Sequence, residues 1–574
     1  MMNKVAAASV SLILVVGVVI GCVIGFGHRS TGHQEEVKNE VSAGMKAVET
    51  LCGPTDYKDA CVRSLTPLAN NGTTDPKELI KGAIQVIAGE VQKAAEQSVA
   101  LANDAKNSNN ATLKAALESC KGYLDYAISD IEESITALGE SQITSISDLT
   151  PELKNWLSAV ISLKESCLDN LDDNSELKDT MHKGLLNTTE LTVNALAIVD
   201  EIAGILKTFN IPIDLNITSS TSRKLLSTET DKDGYPYWFS DDSRRVLAAQ
   251  GFGNLKPNAV VAKDGSGQFK TIAEALAAYP KNQPRSAKYV VYVKAGVYDE
   301  YITVTKEQHN VFMYGDGPTK TVVTGKKNVA LDGYKTDKSA TFAVEGRHFV
   351  AKSMGFENTA GPEGHQAVAL RVNADRCAFF DCSITAYQDT LYIQSHRQFY
   401  RDCTISGTVD FIFGDSATVI QNSKIIARKP MDNQFNAVTA HGRSQARETT
   451  GVVIQNCDII AEPELLPVSS KIQSFLGRPW KEYSKAIFLE NRIDGFIHPD
   501  GYTPWQGTFA LDTLYYGEYA NTGAGADTSK RVNWKGFHVI KDRAEALSYT
   551  VAPFLTAPRW LKETGIPYTV GLKA

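Results

Sequence analysis

A short motif recurs along the second half of the chain at intervals that suit a coiled β-sheet. The segments that align with one another are AKSMGF, FDCSIT, RDCTIS, QNSKII, QNCDII and ENRIDG, centred on Met354, Cys382, Cys403, Ser423, Cys457 and Arg492. The steps between these centres are 28, 21, 20, 34 and 35 residues. A step near 20 residues is one turn of a parallel β-helix, and a longer step is a turn with a loop insertion. A β-sandwich would not repeat an Asn/Asp corner at this interval, so we predict a parallel β-helix.

Two acidic residues share the spacing of this repeat. Asp389 and Asp410 are 21 residues apart, and Cys382 and Cys403 have the same separation. Because neighbouring strands lie about 4.8 Å apart, each pair is predicted to stack on adjacent turns. The cysteines are then close enough for a Cys382–Cys403 disulfide. Both aspartates lie in apolar or aromatic runs, where an unpaired charge is costly, which favours a functional pair over two unrelated surface aspartates.

Two stacked carboxylates do not both ionise cheaply, so their pKa values are predicted to separate. The group that stays charged suits a nucleophile, and the group that keeps its proton suits a general acid.

The first half of the chain has a different periodicity. In four segments (78–105, 111–138, 151–171 and 176–207) apolar residues recur three and four positions apart, as in amphipathic helices. The simplest packing is an all-α four-helix bundle over residues 34–210. A stretch rich in Ser, Thr, Asp and Asn follows at 211–250 and is predicted to be a linker. Its basic sequences RKLL, from Arg223, and RRVL, from Arg244, are candidate processing sites.

The N-terminus indicates export. Residues 5–27 form an uncharged apolar run of 23 residues, long enough for a signal-anchor or a long signal peptide within residues 1–30. Four glycosylation sequons agree with export, at Asn71, Asn110, Asn187 and Asn216. Paired cysteines in an exported chain are expected to be oxidised.

The charges are distributed unevenly along the chain: residues 248–574 carry 37 Lys+Arg and 32 Asp+Glu, a net of +5, and the remainder carries 22 and 34, a net of −12. The halves are therefore able to attract each other, or the basic half meets an anionic polymer.

Four blocks in order give the back half a family resemblance: GHQAVALRV at 364–372, AYQDTLY at 386–392, GTVDFIFG at 407–414 and LGRPW at 476–480. With these blocks, residues 257–570 resemble plant pectin methylesterases. The resemblance implies a right-handed β-helix as the catalytic domain, over residues 251–574. The helical half resembles the inhibitor-like pro-domain of the same family. That second resemblance implies the disulfides Cys52–Cys61 and Cys120–Cys167.

Residue roles carried over from the family follow the same blocks. The resemblance implies that Asp410 attacks the ester carbonyl and that Asp389 is the proton donor and then the base. Gln366 and Gln388 are implied as donors to the oxyanion, and Arg478 as the partner that keeps Asp410 ionised. Thr336, Gln366, Arg478 and Trp480 are implied as substrate-binding residues, with Trp480 against a sugar ring. The implied substrate is pectin (homogalacturonan) in the cell wall, or apoplast. No metal or other cofactor is expected, and no nucleic acid partner.

Two other functions remain open at this point. A glycoside hydrolase on the same scaffold would also use two carboxylates about 5 Å apart. Alternatively, the chain acts mainly as an inhibitor or binding module through residues 34–210, although its catalytic residues are intact. Inhibitor-type helical proteins are expected partners. We also hypothesise that the acidic helical domain covers the basic cleft before export and is cut away near residue 226 or 247. Residues 5–27 are a candidate membrane anchor before this processing.

Overall fold

The computed structural model describes residues 42–104, 111–171, 176–211 and 256–573. The apolar run at 5–27, both basic sites of the linker, Asn110 and Asn216 lie outside these residues. The other two sequon asparagines, Asn71 and Asn187, are exposed, as an attached glycan requires. In the described part of the chain, no helix has both the length and the apolar character needed to cross a bilayer.

Eight α-helices lie in the described part of residues 42–211. They are α1 (Ala43–Cys52), α2 (Lys58–Asn70), α3 (Pro76–Asn103), α4 (Ala111–Glu140), α5 (Thr150–Asp169), α6 (Glu176–Gly184), α7 (Leu186–Asp200) and α8 (Ile202–Thr208). Local signals set their ends: Asp75 caps α3 by accepting a hydrogen bond from the Lys77 N–H, and Pro76 occupies the first turn.

The bundle is closed by four of these helices, since α3 packs on α4, α4 on α5, α5 on α7 and α7 on α3. Three predicted segments match α3, α4 and α5. The fourth, 176–207, is divided into α6, α7 and α8, with the first break after Gly184, a weak helix former. Disulfides join Cys52 to Cys61 and Cys120 to Cys167.

The second half forms three parallel sheets wound into a β-helix. Sheet 1 contains β1 (Ala259–Val261), β2 (Tyr289–Val293), β5 (Val311–Tyr314), β8 (Val350–Lys352), β11 (Cys377–Phe380), β14 (Arg397–Arg401), β17 (Ala417–Gln421), β20 (Gly451–Gln455), β23 (Lys485–Leu489), β25 (Tyr515–Tyr519) and β26 (Phe537–Val539). Sheet 2 contains β4 (Ile302–Val304), β7 (Phe342–Val344), β10 (Leu370–Asn373), β13 (Leu391–Ser395), β16 (Ile412–Gly414), β19 (Asn436–His441) and β22 (Ser474–Gly477). Sheet 3 contains β3 (Gly296–Asp299), β6 (Thr321–Gly325), β9 (Gly355–Asn358), β12 (Ser383–Thr385), β15 (Thr404–Gly407), β18 (Lys424–Ala427), β21 (Asp458–Ala461) and β24 (Arg492–Ile493).

Three short helices accompany the coil: α9 (Ile272–Ala277) near its start, and α10 (Arg543–Ser548) and α11 (Val551–Leu555) after its last strand. Each full turn adds one strand to each sheet, and apolar side chains from all three sheets fill the interior. The parallel β-helix predicted from the repeat is confirmed.

The centre predicted for the last repeat, Arg492, is one residue past the position that the strand pairing gives. The ladder pairs Asp458 with Arg492, so Asn491, not Arg492, continues the column of Met354, Cys382, Cys403, Ser423 and Cys457. The reason is burial. Asn491 is fully buried and accepts a hydrogen bond from the Cys457 N–H at 2.9 Å, whereas Arg492 is exposed, and an unpaired guanidinium inside the coil would be costly.

The predicted Cys382–Cys403 disulfide is not formed in the structure, where both residues are free and buried. They stack as expected, since the following residues, Ser383 and Thr404, are paired across adjacent strands. Stacked positions on parallel strands are about 4.8 Å apart with their Cα–Cβ bonds running side by side, and a disulfide needs Cβ atoms closer than that. Each thiol instead donates to a backbone carbonyl, Cys382 to Phe380 at 3.3 Å and Cys403 to Arg401 at 3.2 Å.

Candidate active site

The two aspartates lie at the same corner of adjacent turns, just before sheet 2. Asp389 precedes β13 and Asp410 precedes β16, and Leu391 pairs with Ile412 across these strands. Both aspartates have left-handed backbones, with φ of 63° and 51°, a conformation that Asp and Asn tolerate better than most residues. The Asp389 N–H donates to the Val409 carbonyl at 3.0 Å. The repeat therefore brings the two carboxyl groups to one site.

Arg478 distinguishes the two carboxyl groups. It follows β22, and its guanidinium donates two hydrogen bonds to Asp410, Nε to Oδ1 at 2.8 Å and Nη2 to Oδ2 at 2.6 Å. Burial raises the pKa of Asp410, and the bonds from Arg478 oppose that rise. Burial and then the Asp410 carboxylate raise the pKa of Asp389 well above its ordinary value. Asp389 is thus the group that holds a proton more strongly.

The other predicted site residues line the same cleft, which has a volume of about 710 Å³. Gln366 and Gln388 lie on adjacent turns, because the N–H of the next residue, Ala367, donates to the Gln388 carbonyl at 3.2 Å. Thr336 begins a short 3-10 helix at the cleft wall. Trp480 packs edge-on against Phe413 with ring centres 5.9 Å apart.

Some cleft residues were not found from the sequence. Trp505 and Phe509 are exposed aromatic side chains in the loop TPWQGTF and line the cleft. The Arg478 guanidinium lies 4.1 Å from the centre of the Trp505 ring. Two aromatic residues in a loop of small and polar residues were the available signal, but no spacing connected that loop to Asp389 or Asp410.

The helical half supplies the remaining wall of the cleft. Ser166 and Asp169 of α5, together with Asn170, line it. Lys481, next to Trp480, forms ion pairs with Asp169 at 2.6 Å and Glu165 at 3.4 Å. These contacts join residues more than three hundred positions apart.

Further contacts run from the bundle to sheet 2 and the cleft wall. The Ser162 hydroxyl donates to the Gln394 carbonyl at 2.7 Å, and the Gln394 amide donates to Ser166 at 3.0 Å. The Tyr123 hydroxyl donates to Asp337, beside Thr336, at 2.6 Å. Helix α5 therefore lies against the outer face of β13.

The side chains that line the cleft include carboxyl, guanidinium and amide groups. Within residues 42–104, 111–171, 176–211 and 256–573, no three His, Cys, Asp or Glu side chains are grouped as metal ligands. The cleft combines a carboxyl group that favours its proton, a carboxyl group bound by arginine, and two amide side chains. Such a set is able to carry out covalent acyl transfer with proton transfer to the leaving group.

Comparison with known proteins gives concordant results for both halves. Residues 258–558 match the family described as Pectinesterase, and residues 46–198 match Plant invertase/pectin methylesterase inhibitor. The chain is similar to "Probable pectinesterase/pectinesterase inhibitor 58" of Arabidopsis thaliana, 44% identical over 543 residues, which are 94% of this chain and 93% of the relative. It is also similar to "Pectinesterase 1" of Citrus sinensis, 41% identical over 533 residues, which are 92% of this chain and 88% of the relative. Among solved structures, the pectin methylesterase from carrot is 51% identical with a TM-score of 0.54, and the match covers 55% of this chain and 99% of the carrot chain.

Proposed function

This chain belongs to the pectinesterase family and carries an inhibitor-type helical domain ahead of the esterase domain, and from that premise we propose how its residues hydrolyse the methyl esters of homogalacturonan. The enzyme is a carboxylic ester hydrolase. The products are methanol and a polymer with free galacturonate carboxylates. Its proposed place of action is the plant cell wall, after export directed by residues 5–27.

Asp410 is the proposed nucleophile. Its carboxylate oxygen attacks the ester carbonyl carbon, and the carbonyl electron pair moves to the oxyanion. The Gln366 and Gln388 amides donate hydrogen bonds to that oxyanion. Such donors typically contribute about 3 kcal/mol to lowering the barrier. When the tetrahedral intermediate collapses, the C–O bond to methoxide breaks, the Asp389 proton goes to the leaving oxygen, and methanol departs from an acyl-aspartate.

Asp389 then acts as a base. Its carboxylate removes a proton from water, the hydroxide oxygen attacks the acyl carbon, and the bond to Asp410 breaks. The free galacturonate acid is released, and Asp389 again holds a proton. The observation that carries this assignment is the bidentate pairing of Arg478 with Asp410, which keeps negative charge on one of two stacked carboxyl groups.

Product analysis tests the reaction class. Methylated pectin treated with the esterase half is expected to release methanol and acid in equal amounts, with no increase in reducing ends, because the attack is at the acyl carbon. Methanol is measured by an oxidase-coupled assay, and reducing ends by a copper reduction assay. New reducing ends without methanol would instead support the glycoside hydrolase alternative.

The rate of methanol release is expected to follow a bell-shaped pH dependence. Asp410 must be ionised and Asp389 protonated, so activity is lost in acid as Asp410 gains its proton and in alkali as Asp389 loses its own. Since burial raises the pKa of Asp410, the acid limb of the profile lies above the pH range in which a free aspartate titrates.

Arg478→Gln removes the cation that opposes this rise in the pKa of Asp410, so the acid limb moves to higher pH. Arg478→Lys, which keeps a positive charge, shifts it less, and kcat/KM against pH for all three proteins is the measurement. An acid limb at the same pH in all three would contradict the role given to Arg478.

The helical domain is proposed to inhibit the esterase half within the same chain. Support comes from α5, whose residues Ser166 and Asp169 line the catalytic cleft, and from the pairing of Asp169 with Lys481 at 2.6 Å. Because a tethered module has an effective concentration on the order of millimolar, moderate affinity suffices to keep the cleft covered. Cleavage at a basic site of the linker, near residue 226 or 247, would end this inhibition.

A further inference from the structure

A second cavity lies between the two halves of the chain, and none of its lining residues also lines the catalytic cleft. Its volume is about 580 Å³. It is located where sheet 2 turns into sheet 1. Four cationic side chains of the esterase half line it, Arg285, Lys306, Arg347 and Arg376, and we call these four residues the basic corner.

The partners of the basic corner come from the helical half. Arg347 pairs with Asp130 at 2.7 Å and with Glu133 at 3.4 Å. Arg376 pairs with Glu152 at 3.3 Å. The exposed Arg285 reaches Glu133 at 3.5 Å. Carboxylates of the bundle therefore contact three of the four residues of the basic corner.

The esterase half's own acidic residues at this cavity are held mainly by arginines outside the basic corner, although Arg376 Nε also lies 3.7 Å from Asp375 Oδ2. Arg397 donates to both oxygens of Asp375, at 2.9 and 2.7 Å. Arg371 forms an ion pair with Glu345. Without the helical domain, the basic corner therefore keeps its positive charge and loses its main anionic partners.

Buried donors at the same cavity point to an oxygen-rich ligand. Asn373 and Arg376 both line the cavity. Asn373 Nδ2 is buried and has no hydrogen-bond partner, and Asn373 is only 4% exposed. Arg376 Nε also lacks a hydrogen-bond partner, although it lies 3.7 Å from Asp375 Oδ2. A buried donor without an acceptor is unfavourable. A ligand with carboxylate and hydroxyl oxygens would satisfy these donors in a way that an apolar partner would not.

We propose that the basic corner is a second polysaccharide site, which binds de-esterified polygalacturonate after the helical domain has left. The inference rests on the proposed function, because that reaction produces this polyanion in the neighbouring cleft. Strand β13 connects the two places: Tyr392 lines the cleft, and His396, just past the end of the strand, lines the cavity. Five strand residues span roughly 17 Å, so a sugar chain leaving the cleft reaches the corner. In the product complex, successive uronate carboxylates take the positions that Asp130, Glu133 and Glu152 hold in the full-length chain.

Binding to immobilised polygalacturonate tests the site. The esterase half is suitable because 55% of this chain matches 99% of the solved carrot chain, so that structure consists of the esterase part alone. Arg347→Gln/Arg376→Gln is expected to weaken binding about tenfold, since two charge pairs are lost, and to make binding less sensitive to salt. Lys306→Gln/Arg285→Gln is also expected to weaken binding of polygalacturonate, and it leaves the stability of the fold unchanged because both positions are exposed. The control is Lys424→Gln/Lys471→Gln, which removes the same charge from exposed positions outside the cavity.

Three further measurements make the outcome decisive. Binding of fully methylated pectin is expected to be equal in all variants, because that polymer carries no carboxylates. The full-length chain is expected to bind polygalacturonate more weakly than its esterase half. Equal binding of polygalacturonate by the corner variants, the control and the parent protein would overturn the proposal. Methanol release from a short methylated oligogalacturonate, measured on the same samples, is expected to be unchanged. Its complete absence in the parent protein would instead refute the proposed function.

Discussion

Asp410→Asn is expected to lower the rate of methanol release from methylated pectin by roughly ten-thousandfold, the scale seen when a nucleophile is removed from a covalent catalytic set. Asparagine has nearly the same shape and tolerates the left-handed backbone at this position (φ 51°). The amide lacks the ionised oxygen that forms the acyl intermediate. It also cannot accept both hydrogen bonds that Arg478 donates to the carboxylate.

The matched control for this variant is Asp402→Asn. Asp402 also has a left-handed backbone, with φ of 52°, and it is located at a different corner of the coil, before β15. The control is expected to retain the parent rate, and both variants are expected to remain folded at the assay temperature. If Asp410→Asn retained more than about a hundredth of the parent activity, the covalent role given to Asp410 would be wrong.

Opening the helical domain is expected to raise the activity of the full-length chain by about a hundredfold or more. A tethered inhibitor at an effective concentration on the order of millimolar, with micromolar intrinsic affinity, leaves about one molecule in a thousand uncovered. Glu165→Lys/Asp169→Lys replaces both anionic partners of Lys481 with cations and so repels α5 from the cleft. The catalytic residues are untouched, and methanol release by the full-length protein is the measurement.

Charge reversal elsewhere on the bundle provides the comparison. Glu118→Lys/Glu140→Lys makes the same change in net charge at two exposed positions of α4, away from the cleft, and is expected to leave the full-length chain inhibited. The esterase half beginning at residue 248 gives the upper limit of activity. Full activity of the unaltered full-length chain, equal to that upper limit, would show that the bundle does not inhibit.

Much of the catalytic geometry was predictable because a β-helix converts sequence spacing into position. A separation of 21 residues between Asp389 and Asp410 is one turn, so the two residues had to stack once the coil was recognised. The same spacing stacked Cys382 on Cys403, but it did not decide whether they form a bond. Bond formation depends on the direction of the side chains and on the carbonyl groups within reach of each thiol. Similarly, the motif alone predicted that Arg492 lies in the interior column of the coil, whereas the buried residue at that position is Asn491.

The amino-acid sequence by itself determined the coil, the bundle and the stacked pair of aspartates, because all three follow from periodicities that repeat within a few tens of residues. Only the tertiary structure decided where the two halves meet. It placed Asp169 against Lys481 and Asp130 against Arg347, pairs with separations of 312 and 217 residues. Such contacts follow no sequence periodicity and are therefore not predictable from residue spacing. They depend on the complementary shape and charge of the surfaces of two domains.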